Sequence, residues 1–346
     1  MRAATYRRFG GPDVVHVEDV PSPTVGVGDV LVRVHASTVS AADRRARSLD
    51  VPAGLRLPST LALGVRRPRR PVLGMDIAGT VTAVGTHVTR FSVGDEIIAM
   101  LGASFGGHAE YAVIDQDAAI TAKPAAMSFE DAVTLVFGGI TARAYLRQIT
   151  LPPKARVLVN GASGAVGTAM VQLAKATGAH VTAVCSGPNA DLVTRLGADR
   201  VVDYRTDDFT TQETTYDVVV DCVGNAPFAR VRHLLNPGGA LLLVVADLGG
   251  LLSASWHSRR TGHPVVTTPG TYRAEDLTHL VNLADTGHYQ PVRETTVDLD
   301  DIADAHRLAD TGHKRGNVVV RLVHPVDRPS AEDAQHTRHH PEGHRS

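Results

Sequence analysis

The chain has 346 residues, 43% hydrophobic and 21% charged, with a formal net charge of -1. That length allows two domains with substantial cores, and the balanced charge points to neither a nucleic-acid nor a membrane partner. Two cysteines, Cys185 and Cys222, exclude a disulfide framework or a zinc ribbon. A reduced, cytoplasmic setting is therefore expected, since residues 1–10 lack an apolar signal core and no run has the length of a membrane helix.

Residues 1–125 read as a mostly β unit. Short strands are expected at 3–7, 14–19, 30–39, 77–84, 97–100 and 108–113, punctuated by turns such as Gly10-Gly11-Pro12 and Gly94-Asp95. Between them, 49–71 is irregular and carries Arg66-Arg67-Pro68-Arg69-Arg70. It reads as a solvated loop, with a flap over a substrate site as the sharper alternative. Ser128, with Asp131 three residues on, caps a helix that Gly138-Gly139 interrupts; a second helix runs over 141–148 until Pro152-Pro153 breaks it.

The centre of the chain is the run from Val157 to Gly167. A β-branched apolar strand leads into a turn with Gly161, Gly164 and Gly167 three residues apart. A helix follows, with apolar positions at Val166, Met170, Leu173 and Ala174. Glycine permits the tight turn and the close approach of a pyrophosphate, and the helix N-terminus supplies free N–H groups. The turn residues Gly161, Ser163 and Gly164 and the first helical residues, Ala165 and Val166, are thus the expected diphosphate site. Further strands at 181–185, 200–203, 216–221 and 240–245 alternate with helical patterns, which implies a parallel sheet covered on both faces. The stretch 246–269 has no clear pattern; Trp256 and residues 248–252 belong either to an apolar pocket or to a dimer surface. Helices at 274–284 and 299–309 and a strand at 316–323 follow, then a polar tail with His336, His339, His340 and His344, read as disordered.

In its ordered motifs the chain resembles the medium-chain dehydrogenases/reductases, in particular their zinc-independent quinone oxidoreductase branch. The resemblance is carried by Phe9-Gly10-Gly11-Pro12-Asp13, Gly28-Asp29-Val30, Gly74-Met75-Asp76-Ile77-Ala78-Gly79, Gly94-Asp95-Glu96, Gly107-His108-Ala109-Glu110-Tyr111, Gly139-Ile140-Thr141-Ala142 and the glycine turn. It implies a Rossmann doubly wound sheet at 125–269, inserted into a GroES-like, partly barrel-shaped β catalytic domain made of 1–124 and 270–326, with 327–346 as the tail.

The same resemblance assigns residues. The positions that bind catalytic zinc in metal-dependent relatives correspond here to Ser40, Met75 and Phe137, which cannot make a tetrahedral zinc site. Without a Lewis acid, hydride transfer favours acceptors that are already electron-poor, namely quinones and α,β-unsaturated carbonyls. Ser40 is the expected neutral donor to a developing oxyanion, with Asp43 orienting its loop. His108 is a candidate proton donor, or else a satisfied surface histidine.

At the end of the second parallel strand, an NAD site usually carries a carboxylate; here it has Ser186, followed by Asn189. Those donors, together with Tyr204 and Arg205, suit the 2′-phosphate of NADPH. Thr141, Cys222, Val223, Val244 and Val245 are expected along the diphosphate, ribose and nicotinamide, with His313 and Arg315 in a basic segment closing over the cofactor. The expected protein is an NADPH-dependent quinone or enone reductase with a small-molecule substrate and a homodimeric state. The alternatives are a dedicated biosynthetic enoyl or ketone reductase and a non-catalytic NADPH-binding redox sensor.

Overall fold

The computed structural model describes residues 1–322. The expected tail at 327–346 and the last few residues of the catalytic segment lie outside the described residues. Strands β1 (Arg2–Tyr6) and β2 (Val15–Asp19) form an antiparallel hairpin. Strands β3 (Asp29–Thr38), β4 (Asp76–Val84), β5 (Glu96–Met100), β6 (Tyr111–Asp115) and β7 (Ile120–Ala122) pair antiparallel around β3 and β4.

Six strands then form an entirely parallel sheet: β8 (Arg156–Asn160), β9 (His180–Cys185), β10 (Arg200–Asp203), β11 (Tyr216–Asp221), β12 (Leu235–Leu243) and β13 (Val265–Val266). Their spatial order is β10-β9-β8-β11-β12-β13. The chain leaves β8 first to one side and then to the other, so the gap between β8 and β11 is the topological switch point where such sheets bind ligands. Finally β14 (Arg293–Asp298) and β15 (Asn317–Arg321) return to the first sheet, whose order becomes β14-β15-β3-β4-β5-β7, with β6 also on β3. The mixed sheet thus joins strands from before and after the parallel sheet.

The parallel strands read as unbroken apolar runs because both of their faces are buried. Val157, Val159, Val218, Val220 and Leu242 enter one core, while their neighbours Leu158, Val219, Leu241 and Leu243 enter another on the opposite face. Side chains alternate across a strand, so each run must feed two cores at once.

Several expectations change. The segment expected to be irregular contains the helix Arg56–Leu63. The patternless stretch after β12 is the helix Leu248–Thr261, capped by Asp247 accepting from Gly250 N at 2.7 Å and ended by left-handed Gly262. It buries only Ala254, so it has no apolar stripe to show in the sequence. The Gly138-Gly139 break is a π turn at Val136–Ile140, packed so closely on the start of the helix Ala165–Ala176 that a Cβ on Gly138 would stand 2.3 Å from Ala165 O. Strands β7, β13 and β14 were not expected from the sequence, and β12 begins five residues earlier than the periodicity suggests, before Pro237-Gly238-Gly239.

Candidate functional site

The glycine turn links β8 to the helix Ala165–Ala176. Gly161 adopts φ +78°, a left-handed conformation open to glycine at little cost. A Cβ on Gly167 would lie 2.1 Å from Gly161 O, so this glycine lets the helix start against the turn. A Cβ on Gly164 would meet nothing nearer than 3.7 Å. The fold itself has room for a side chain there. The missing one leaves an open approach to the N–H groups of the helix start, a cradle of the kind that receives a pyrophosphate.

Three of the expected cofactor residues come together beside this turn. Asn189 Nδ2 donates to both Ser163 Oγ and Ser186 Oγ, each at 3.1 Å. Each serine oxygen therefore accepts from Asn189 and keeps its own proton to donate outward. Tyr204 is about half exposed at the end of β10, its backbone N–H bonded to Cys185 O. One residue that the sequence reading missed shares the region. A Cβ on Gly187 would lie 2.5 Å from Asp203 Oδ2, which puts a carboxylate beside the serine turn.

At the switch point the ends of β8 and β11 are joined through side chains. Asp221, fully buried, accepts from Asn160 Nδ2 at 2.9 Å and from the backbone N–H groups of Val223, Gly224 and Ala226 at 2.8–3.0 Å. It thereby shapes the loop carrying Cys222 and Val223, and burial pushes the Cys222 thiol well up, out of reach of thiolate chemistry at neutral pH. Asp221 and Asn160 are also additions to the expected set; their signal was a polar residue closing an apolar strand. Gly224 and Val245 line a cavity of about 390 Å³ at the carboxyl ends of β11 and β12. Val244 N donates to Asp221 O at 2.9 Å.

The basic segment before β15 also reaches the turn: Gly316 N donates to Ser163 O at 2.8 Å. Within it His313 and Arg315 are exposed, while Lys314 turns inward and donates to Gly316 O at 2.6 Å. Burial pushes Lys314 down to about 8, against the opposing pull of Glu294, Asp76 and Asp43. Asn317 spends its amide on the carbonyls of Thr134 and Val292. Thr141 is nearly buried, with its hydroxyl 3.3 Å from that of Tyr272.

The expected catalytic trio has a different character. Ser40 is the N-cap of the helix Ala41–Ser48 in a reciprocal capping box with Asp43. Its Oγ donates to Asp43 Oδ2 at 2.5 Å, so its proton is already engaged. Asp43 Oδ2 also accepts from Ser40 N, and Oδ1 accepts from Gly74 N, each at 2.8 Å. His108 is fully buried, which removes the reading of a surface histidine. Its Nε2 lies 3.0 Å from Thr38 O, where only a protonated nitrogen can bond, and burial lowers its pKa. That geometry holds a neutral ring inside the β domain and does not present an acid to a substrate. Its ring meets that of His306 edge-on at 5.9 Å.

Ser40, Met75 and Phe137 offer an engaged hydroxyl, a thioether and a phenyl ring, and these do not fit a zinc ion. Among the described residues, no group of three or more His, Cys, Asp or Glu is placed to hold a metal.

Comparison with known proteins agrees with this architecture. Residues 26–125 match the model of the alcohol dehydrogenase GroES-like domain, and 196–320 that of the zinc-binding dehydrogenase family. The chain is 31% identical to quinone-oxidoreductase QR1, chloroplastic, of Triphysaria versicolor, covering 92% of this chain and 98% of that one. It is 30% identical to a chloroplast envelope quinone oxidoreductase homolog of Arabidopsis thaliana, covering 84% and 89%. The structure of the quinone oxidoreductase from Coxiella burnetii superposes with a TM-score of 0.82 at 26% identity, over 93% and 99% of the two chains. The chain belongs to the medium-chain dehydrogenase/reductase superfamily, and within it to the quinone oxidoreductase-like proteins. It is accordingly an oxidoreductase with a nicotinamide cofactor site and a small-molecule substrate. No helix among the described residues is long and apolar enough to cross a membrane.

Proposed function

We propose that the protein is a metal-free, NADPH-dependent reductase of quinones or α,β-unsaturated carbonyls, working in the cytoplasm as a homodimer. The observation that carries the cofactor choice is the Ser163–Asn189–Ser186 set: Ser186, its proton free to donate, stands where NAD-selective sites place a carboxylate, and Asn189 joins it to Ser163 of the glycine turn. A 2′-phosphate accepts such hydrogen bonds, and Tyr204 and Arg205 stand at the end of the next strand to extend them. Asp203 opposes this choice, but its Oδ1 is occupied by Arg205 N at 2.9 Å.

When bound, a reduced nicotinamide supplies a hydride. The chain's part is to hold the diphosphate over the open face of Gly164, with Ala165 and Val166 at the helix start, and to close the approach with the 313–316 segment. Cys222, Val223, Val244 and Val245, brought to the switch point by Asp221, flank the reactive end. Because Ser40 donates to Asp43, it can meet an oxyanion only by rotating its hydroxyl, at the cost of that bond. The site therefore suits acceptors that need little electrophilic help.

The test is oxidation of NADPH and NADH with 1,4-benzoquinone, 9,10-phenanthrenequinone and a simple enone, with and without a chelator. Turnover that prefers NADPH and survives chelation supports the proposal. Turnover that requires added zinc, or equal use of both cofactors, overturns the corresponding half.

A further inference from the structure

The near-zero net charge hides a strongly one-sided region. Between Asp50 and Asp76 there are five arginines and no acid, and between Asp247 and Glu275 there are three arginines and no acid. Each segment folds as a short helix, Arg56–Leu63 and Leu248–Thr261, and each helix leaves large apolar side chains in solvent. Leu57 and Leu61 are 71% and 54% exposed; Leu252 and Trp256 are 75% and 57% exposed. Both pairs are spaced i, i+4, so each marks one side of its helix.

The two segments meet. Leu248 N donates to Ala53 O at 3.0 Å, and a Cβ on Gly54 would lie 2.6 Å from Leu248 Cβ. Arg260 rests its guanidinium 5.6 Å from the Trp256 ring centroid, a cation beside an aromatic at the surface. Among the described residues, Arg66, Arg67, Arg69, Arg259 and Arg260 form no ion pair and are exposed. Unpaired arginines around exposed leucines and a tryptophan are complementary to a layer of anionic headgroups over hydrocarbon, more than to a uniformly apolar protein face.

We propose that these two helices form a docking face for anionic lipid bilayers, with Leu57, Leu61, Leu252 and Trp256 entering the headgroup layer and the arginines lying on lipid phosphates. The face binds reversibly and spans nothing. Resting on the quinone reading above, it would let a lipid-dissolved acceptor reach the protein without crossing water.

Trp256 is the chain's single tryptophan and therefore a built-in reporter. The full chain is titrated with vesicles of phosphatidylglycerol and phosphatidylcholine, or of phosphatidylcholine alone, reading tryptophan emission and co-sedimentation. A blue shift and sedimentation with the anionic vesicles, both reduced by salt, are expected. The double variant Leu57→Ser/Leu61→Ser leaves Trp256 intact and should weaken partitioning about tenfold or more. Arg66→Ser/Arg67→Ser should weaken it for anionic vesicles in particular. NADPH binding by both variants serves as the folding control.

No shift with anionic vesicles overturns the proposal. So does binding that is indifferent to the leucine and arginine variants, or a shift that grows with protein concentration without lipid, which would assign the face to a second copy of the chain. A water-soluble quinone separates the two readings. If it is not reduced while vesicles still bind, the functional reading fails and the docking face stands.

Discussion

The parallel sheet and the mixed sheet each close around a fully buried carboxylate, and the two are held in different ways. Asp221 takes three of its four donors from the loop that follows it, at Val223, Gly224 and Ala226. Asp43 takes two from Ser40 in its own capping box and a third from Gly74, 31 residues on. The first carboxylate shapes a loop beside the cofactor cleft; the second pins a helix start to a distant turn. Similar chemistry thus shapes a local loop in one half and ties distant segments together in the other.

The largest expected effect contrasts two glycines of the same turn. Gly167→Val forces a side chain into Gly161 O and should cost more than about 4 kcal/mol in urea unfolding, or give no folded protein. Gly164→Ala should leave stability within about 0.5 kcal/mol, since its Cβ meets nothing inside 3.7 Å. It should nevertheless weaken NADPH binding about tenfold by filling the diphosphate approach. Equal stability losses at the two positions would break the reading of Gly164 as a binding glycine.

Next come the carboxylates. Asp43→Asn and Asp221→Asn each exchange an acceptor for a partial donor against buried N–H groups and should each cost about 2–4 kcal/mol. Only Asp221→Asn should also raise the KM for NADPH, because its loop borders the cleft. A rise for both variants would merge the two roles.

Smaller again is the phosphate pocket. Ser186→Ala should raise the KM for NADPH about fivefold and leave that for NADH nearly unchanged, the effect of one lost hydrogen bond to a charged group. Ser186→Asp should reverse the preference.

The smallest effect is a slope. Burial lowers the pKa values of His108 and His306, whose surroundings include Arg47 and Asp43, so the folded state keeps both rings neutral. Below about 6.5 the unfolded chain takes up protons on these rings more readily than the folded one does, and stability falls with acidification. Asp76 works the other way. Burial raises it to about 7 against the hydrogen bonds from Thr38 and Ser37, so the folded state gains one proton that the unfolded carboxylate lacks. His279, also lowered by burial, acts on the same side as the other two rings, so stability should fall gently as the pH drops through the ordinary histidine range, with Asp76 offsetting part of the fall. His306→Leu should flatten that slope in denaturant titrations. Both ring nitrogens of His306 lack a partner among the described residues, so the substitution removes no hydrogen bond.

Much of the cofactor half was legible because its signals are local. Apolar runs of a few residues, a glycine every third position and a polar residue closing β8, β10 and β11 are all set by near neighbours in the chain. Ser163 was named for the diphosphate turn and Ser186 and Asn189 for the adenosine phosphate, but the hydrogen bonds that join them, one of them spanning 26 residues, were not legible. The helix Leu248–Thr261 escaped notice for an equally physical reason: with one buried residue, it carries no periodicity to read.

By itself, the sequence determined the class of each half, the order of the parallel strands' elements and the place of the glycine turn. Backbone preferences and side-chain periodicity act over a few residues and survive without the rest of the molecule. Only the tertiary structure decided that Ser40 spends its proton on a cap, that His108 is sealed inside, and that Lys314 rather than its neighbours turns inward. Burial and hydrogen-bond saturation are properties of what the chain brings from far away, and they decide whether a reactive side chain is free to react.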